Sequence, residues 1–175
     1  GKPLQRHRAW QKPVTLSVEI DPRYPGTGPA TLTDGVLGMP ERRGREWLGF
    51  EGKDVVVTID LQKTVDVAGV SGRFLQQTNV GIHAPGSVRF SVSTDNRTFT
   101  AIGTAAPADT TGEMEGSVHT LAVETPPTKA RFVRAHILNA GPLPKGRILR
   151  NGQRATEEKP SWVFVDEIIV DGPTE

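Results

Sequence analysis

The chain has no cysteine, which removes disulfide stapling and thiol chemistry but leaves the compartment open. It has no apolar run near the ~18 residues of a membrane span, and no charged-then-apolar leader ahead of position 10. No membrane insertion is expected. Neither sign of charge prevails: 21 Lys and Arg stand against 20 Asp and Glu, a formal +1. Such a balance gives no global field to gather nucleic acid, so no nucleic-acid partner is expected. Aromatic residues make up only 6%, and no stretch repeats its apolar residues at helical spacing, so no helix is expected. An initial Met is also missing; the opening Gly1-Lys2-Pro3 reads as a piece excised from a larger protein.

Catalytic motifs are equally scarce. There is no Gly-x-Ser-x-Gly elbow, and His7, His83, His119 and His136 are scattered with no spacing that pairs them with a serine or with zinc. A glycosidase needs two carboxylates facing a cleft, and Asp34 with Glu167 is the pair on offer. Acids in a strand and in a nearby Asp-Gly turn suit a hard cation better, because such an ion takes six to eight oxygens from carboxylates and turn carbonyls. The chain is therefore read as not an enzyme.

What the sequence does hold is punctuation. Its 19 Gly and 14 Pro are spread singly, which marks many short strands joined by turns. A length of 175 residues suits one domain, large enough to bury roughly 70% of its unfolded surface. Residues 1–13 mix basic side chains with Trp10 and read as a linker or upstream remnant. Strands are expected at Val14 to Ile20, Asp54 to Leu61, Val65 to Leu75, Ser117 to Glu124 and Ala130 to Leu138, with a turn at Pro126-Pro127. Ser87 to Ser93 and Thr98 to Ile102 form a hairpin across Thr94-Asp95-Asn96-Arg97. The sum is an all-β, antiparallel β-sandwich of about eight or nine strands with jelly-roll-like connections over residues 14–172.

The stretch from Ser161 to Val170 organises the rest. It is β-branched, apolar and closed by Asp171-Gly172-Pro173, hence a buried strand. Strict alternation sets Val163, Val165, Glu167 and Ile169 on one face and Trp162, Phe164, Asp166, Ile168 and Val170 on the other. At least one carboxylate then lies near the core, where it needs a cation, a metal or several N–H donors. Trp162, beside Phe164, reads as core rather than as a sugar platform. Asn139 to Pro160 is the longest irregular segment, and it carries Lys145, Arg147, Arg150, Arg154 and Lys159. With Arg73 and Arg42, Arg43 and Arg45, these cations form a candidate receptor for an anionic glycan, against the plainer reading of a solvated loop.

Tyr24-Pro25-Gly26, Leu32-Thr33-Asp34-Gly35, Trp47-x-Gly49-Phe50, Ile59-Asp60-Leu61, Phe74-Leu75-Gln76, Val88 to Ser93 with Thr98-Phe99, Ala130 to Arg134 and Trp162-x-Phe164-x-Asp166-Glu167-Ile168 follow one another in this order. The set resembles the coagulation factor 5/8 type C (discoidin-like) domains, in particular those at the C-terminus of bacterial family 20 beta-hexosaminidases, and their relatives the family 32 carbohydrate-binding modules. The resemblance implies a galactose-binding-like β-sandwich acting as a noncatalytic, carbohydrate-binding accessory module. The parent would be a secreted, periplasmic or cell-surface glycoside hydrolase, with a glycan and the parent's catalytic domain as partners. The alternative is a structural or protein-interaction module that packs on a catalytic domain without binding sugar. The resemblance also implies one structural calcium, with Asp34 and Glu167 as side-chain ligands and carbonyls around Leu32 and Val36 completing the shell. Glycan binding would fall to loop residues Trp47, Arg73, Gln76, Gln77, Asn79, His83 and Arg147.

Overall fold

The computed structural model describes residues 2–3, 6–41, 43–108, 116–148 and 151–173. Among the described residues nine strands follow in chain order: β1 (Lys2–Pro3), β2 (Val14–Leu16), β3 (Val36–Leu37), β4 (Leu48–Glu51), β5 (Val55–Gln76), β6 (Ser87–Ser93), β7 (Thr100–Ala105), β8 (Ser117–Leu138) and β9 (Trp162–Asp171). Short 3-10 turns occupy Pro29–Thr33 and Thr78–Val80. All pairings between these strands are antiparallel.

Two strands of 22 residues each, β5 and β8, build both layers of the sandwich. The first half of β5 pairs with β2 and with Phe132 to Ile137 of β8, which in turn pairs with β6. Its second half pairs with Ser117 to Glu124 of β8 and with β9. Between the halves the ladder slips twice, at Asp60/Val65 and at Val67/Gly69, and there the strands bend from one layer to the other. Sequence reading expects two separate strands at each of these places. The prolines do not break β8 because Pro126 and Pro127 fall where the ladder has slipped, between Glu124 and Thr128, so their missing N–H groups take no hydrogen bond away.

Alternation on each half points Val57, Ile59, Phe74, Phe90, Val133 and Ile137 into a common core. The hairpin of β6 and β7 stands where expected, its turn fixed by Asp95, whose Oδ1 accepts the N–H groups of Arg97 and Thr98 at 2.8 and 2.9 Å. The first strand is shorter than expected, ending at Leu16.

Residues 6–12 are not a linker. Ala9 is fully buried in the core, Arg8 donates its N–H to Val170 at 2.8 Å and Gln11 donates to Thr33 at 2.7 Å. Backbone pairing of β1 with β3 continues this attachment. One small apolar residue in a polar segment supplied the anchor, and no periodicity announces a single residue.

Strict alternation also fails in β9. Arg73 pairs with Glu167 while the next residue, Phe74, pairs with Val165, so Asp166 is the extra residue of a bulge. The phase shifts at that point: Val163, Val165, Ile168 and Val170 all enter the core, and both acids turn away from it. They are nevertheless fully buried, beneath the arm and the segment around β3.

Candidate functional site

The buried acids have protein partners. Arg73 forms an ion pair with Asp166 Oδ2, which also accepts the Gly38 N–H at 2.7 Å. Asp166 Oδ1 has no hydrogen-bond partner among the described residues. Burial outweighs the nearby guanidinium and pushes the Asp166 carboxyl up to about 7. Glu167 Oε1 lies 2.9 Å from His7 Nε2, and both of its oxygens face the Gly35 N–H at 3.2 Å. Its pKa is raised, chiefly by burial. The expected cation and N–H donors are therefore supplied by Arg73, His7, Gly38 and Gly35.

These residues do not fit a calcium shell in this arrangement. Calcium needs converging oxygens, whereas an N–H and an imidazole converge on Glu167. Asp34 turns onto its own backbone, Oδ1 accepting the Val36 N–H at 2.8 Å. No Thr or Ser stands between Val36 and Trp47 to add an oxygen. Among the described residues no three His, Asp or Glu side chains gather as a metal-binding group.

The residues expected to read sugar are divided between the interior and the loops. Trp47 is fully buried with Leu75, Ile82 and Phe164; its ring lies so close to Gly38 that a Cβ there would fall 2.2 Å from Cε2. Gln76 is buried, and its Oε1 accepts the Ala84 N–H at 3.1 Å. Arg73 is committed to Asp166. Gln77 and Ile82 exchange backbone hydrogen bonds at 2.9 and 3.2 Å, closing the loop that exposes Asn79 and half-buries His83. Burial lowers the His83 pKa. Arg147 staples its own loop, Nη1 donating to the carbonyls of Pro144 and Glu157 at 2.9 and 3.2 Å. Arg154 Nη1 likewise donates to the Gly146 carbonyl at 2.9 Å. Among the other cations of the anionic-glycan reading, Arg42 and Arg150 lie outside the described residues. Trp162 is half-buried, with the Arg23 guanidinium 4.5 Å from its ring centroid and the Tyr24 ring edge-on at 5.2 Å.

Sequence reading missed the cleft at this end of the sandwich. It has a volume of about 400 Å³ and is lined by Gly52, Asp54, Asn139, Gly141, Pro142, Glu158, Lys159 and Pro160. Asn139 fixes its back wall: its N–H donates to Asp54 Oδ1 at 2.8 Å, and its Oδ1 accepts from the Gly141 N–H at 2.9 Å and from Ser161 Oγ at 2.8 Å. Gly52, at φ +62°, packs so tightly on Pro160 that a Cβ would fall 2.8 Å from the ring. Glu158 and Lys159 are exposed, and their side chains have no partner among the described residues, so they are free to bond a hydroxyl-bearing ligand. The Asn139-Ala140-Gly141 run was a usable turn signal; nothing local tied it to Asp54, 85 positions away.

The protein is an antiparallel sandwich whose loops gather a cleft at one end. The F5/8 type C domain model matches residues 14–148, and the chain belongs to that family. Among solved structures, it is similar to a fucose-binding module of Streptococcus pneumoniae at 15% identity, covering 95% of each chain with a TM-score of 0.60. A Clostridium perfringens module in complex with GalNAc-beta-1,3-galactose is 15% identical, with 93% of this chain and 96% of that one covered at a TM-score of 0.57. Chitosan-binding module 1 from a Paenibacillus sp. IK-5 chitosanase/glucanase is 18% identical, with 96% and 100% covered at 0.54. At these identities the likeness is one of fold. No curated protein matches the chain.

Proposed function

We propose that this protein is a noncatalytic carbohydrate-binding module, accessory to a secreted, periplasmic or cell-surface glycoside hydrolase, that holds a glycan in the loop-end cleft. The observation that carries this reading is the cleft itself, lined by a hydrogen-bonded Asn139 and by Glu158 and Lys159, whose side chains have no partner among the described residues. A free carboxylate and a free ammonium on successive residues of one cleft can accept from and donate to the hydroxyls of a neutral pyranose. The structural neighbours named for fucose, GalNAc-beta-1,3-galactose and chitosan support the ligand class. A noncatalytic role agrees with the burial of Asp166 and Glu167, whose carboxylates are engaged by Arg73 and His7 rather than presented to solvent.

A second reading, a structural or protein-interaction module that packs on a catalytic domain without binding sugar, is favoured by the aromatics. Trp47 is internal, and the Trp162 ring is already occupied by Arg23 and Tyr24. A glycan array with the 175-residue chain separates the two readings. Binding that is lost in Glu158→Gln/Lys159→Gln with an unchanged melting temperature supports the cleft. Uniform silence at high protein concentration leaves the second reading.

A further inference from the structure

The outer face of the layer formed by β6, β7 and β8 holds a cavity of about 240 Å³, lined by Arg89, Ser91, Phe99, Ala101, Arg134 and His136. Period-two alternation puts them there. Val88, Phe90 and Val92 of β6 and Val133, Ala135 and Ile137 of β8 enter the core, so the residues between them face out. Register sets Arg89 opposite His136 and Ser91 opposite Arg134. The two arginines are thus diagonal neighbours, roughly 7–8 Å apart, within reach of one oxyanion held between them.

Their orientation is supported by neighbouring side chains. The Arg134 guanidinium lies 3.5 Å from the Phe99 ring centroid, and its Nε donates to Thr58 Oγ1 at 3.3 Å. Arg89 Nη2 stands 3.4 Å from His136 Nδ1. What is missing is a counterion. Farther along β8, Arg131 pairs with Asp60 at 2.8 Å and Lys129 with Asp66 at 2.8 Å. Arg89 and Arg134 form no ion pair among the described residues, and the patch they share with Ser91 and His136 contains no acidic residue. Like charges gathered on one face repel, and an external anion relieves that repulsion.

We propose that this sheet face is a second binding site, separate from the loop-end cleft, for the carboxylate or sulfate of an acidic polysaccharide. A guanidinium fork pairs two-to-two with either group, and the Ser91 hydroxyl adds a donor. The cavity is open, with Arg89 and Ala101 exposed, which suits one sugar of a long chain crossing the sheet. This is a local field, compatible with a net charge of only +1.

Affinity electrophoresis of the 175-residue chain through gels containing alginate, dextran sulfate or neutral dextran tests the site. Retardation is expected in the two anionic gels alone, weakening as salt rises. Arg89→Gln/Arg134→Gln is expected to bind roughly a hundredfold more weakly, since each of the two lost charge-assisted hydrogen bonds is worth about a factor of ten, with its melting temperature unchanged. The cleft variant Glu158→Gln/Lys159→Gln is expected to keep its retardation, so failure of the cleft and failure of this site are distinguishable. Four results overturn the proposal: no retardation of the wild type, full retardation of the arginine variant, an equal loss in the charge-matched Lys53→Gln/Lys63→Gln variant at two exposed lysines elsewhere on the surface, or binding to anionic lipid vesicles but to neither polymer.

Discussion

Asp166 is the costliest side chain to place. It is an extra residue in a ladder, fully buried, with one oxygen on Arg73 and Gly38 and the other without a partner. Its carboxyl titrates at about 3.8 in a solvated chain and at about 7 when folded. Between those values the native state holds a proton that the unfolded chain has released, so the unfolded state gains as pH rises. The contribution of this residue to stability is present below pH 3.8 and lost as pH passes through about 7. Glu167 shifts in the same sense. Urea unfolding at about pH 5 and at about pH 8 is therefore expected to show the wild type weaker at the higher pH. Asp166→Asn, which keeps the shape and loses the titration, is expected to flatten that difference; an equal slope in both proteins would show that the proton is held elsewhere.

The arm of residues 6–12 is the element that departs most from its appearance in the sequence. Its imidazole at His7 serves the carboxylate that the family resemblance assigns to calcium. Removing that partner leaves a buried carboxylate with only the Gly35 N–H, a cost of a few kcal/mol. His7→Ala is accordingly expected to lower the melting temperature by several degrees, while chelator leaves the wild type unchanged. A melting temperature that falls on verified metal removal and recovers with calcium would restore the calcium shell, because a ligand of the folded state stabilises it by mass action. The elements differ in how plainly the sequence announces them. The hairpin of β6 and β7 does so because Asp95 bonds the turn from within five residues of both strands. The arm does not, because His7 and Glu167 are 160 positions apart. The bulge at Asp166 escapes for a different reason: one inserted residue reverses the phase of every side chain after it, and only the pairing of Arg73 and Phe74 with β9 reveals the insertion.

For the molecule as a whole, composition and turn spacing carry the all-β class and the antiparallel sandwich. The site was harder to read, because the residues singled out were the chemically conspicuous ones. Trp47 and Gln76 went to the interior and Arg73 to a buried acid, while the proposed cleft draws on plain loop residues such as Asn139 and Glu158, with Lys159 the one cation of the sequence-based set that lines it. The continuity of β5 and β8 was also hidden, since a bend and a chain break look alike where Pro126 and Pro127 stand. That continuity has a dynamic consequence. Two sheets that merely stack can part along their interface, but here the same pair of strands contributes a hydrogen-bonded ladder to each layer. Opening one layer pulls on the ladder of the other, so the sandwich has no seam along which to open by halves. Amides of Val57 and Ile59 in one layer and of Val70 and Ser71 in the other should then exchange with deuterium at matched free energies, each equal to that of global unfolding.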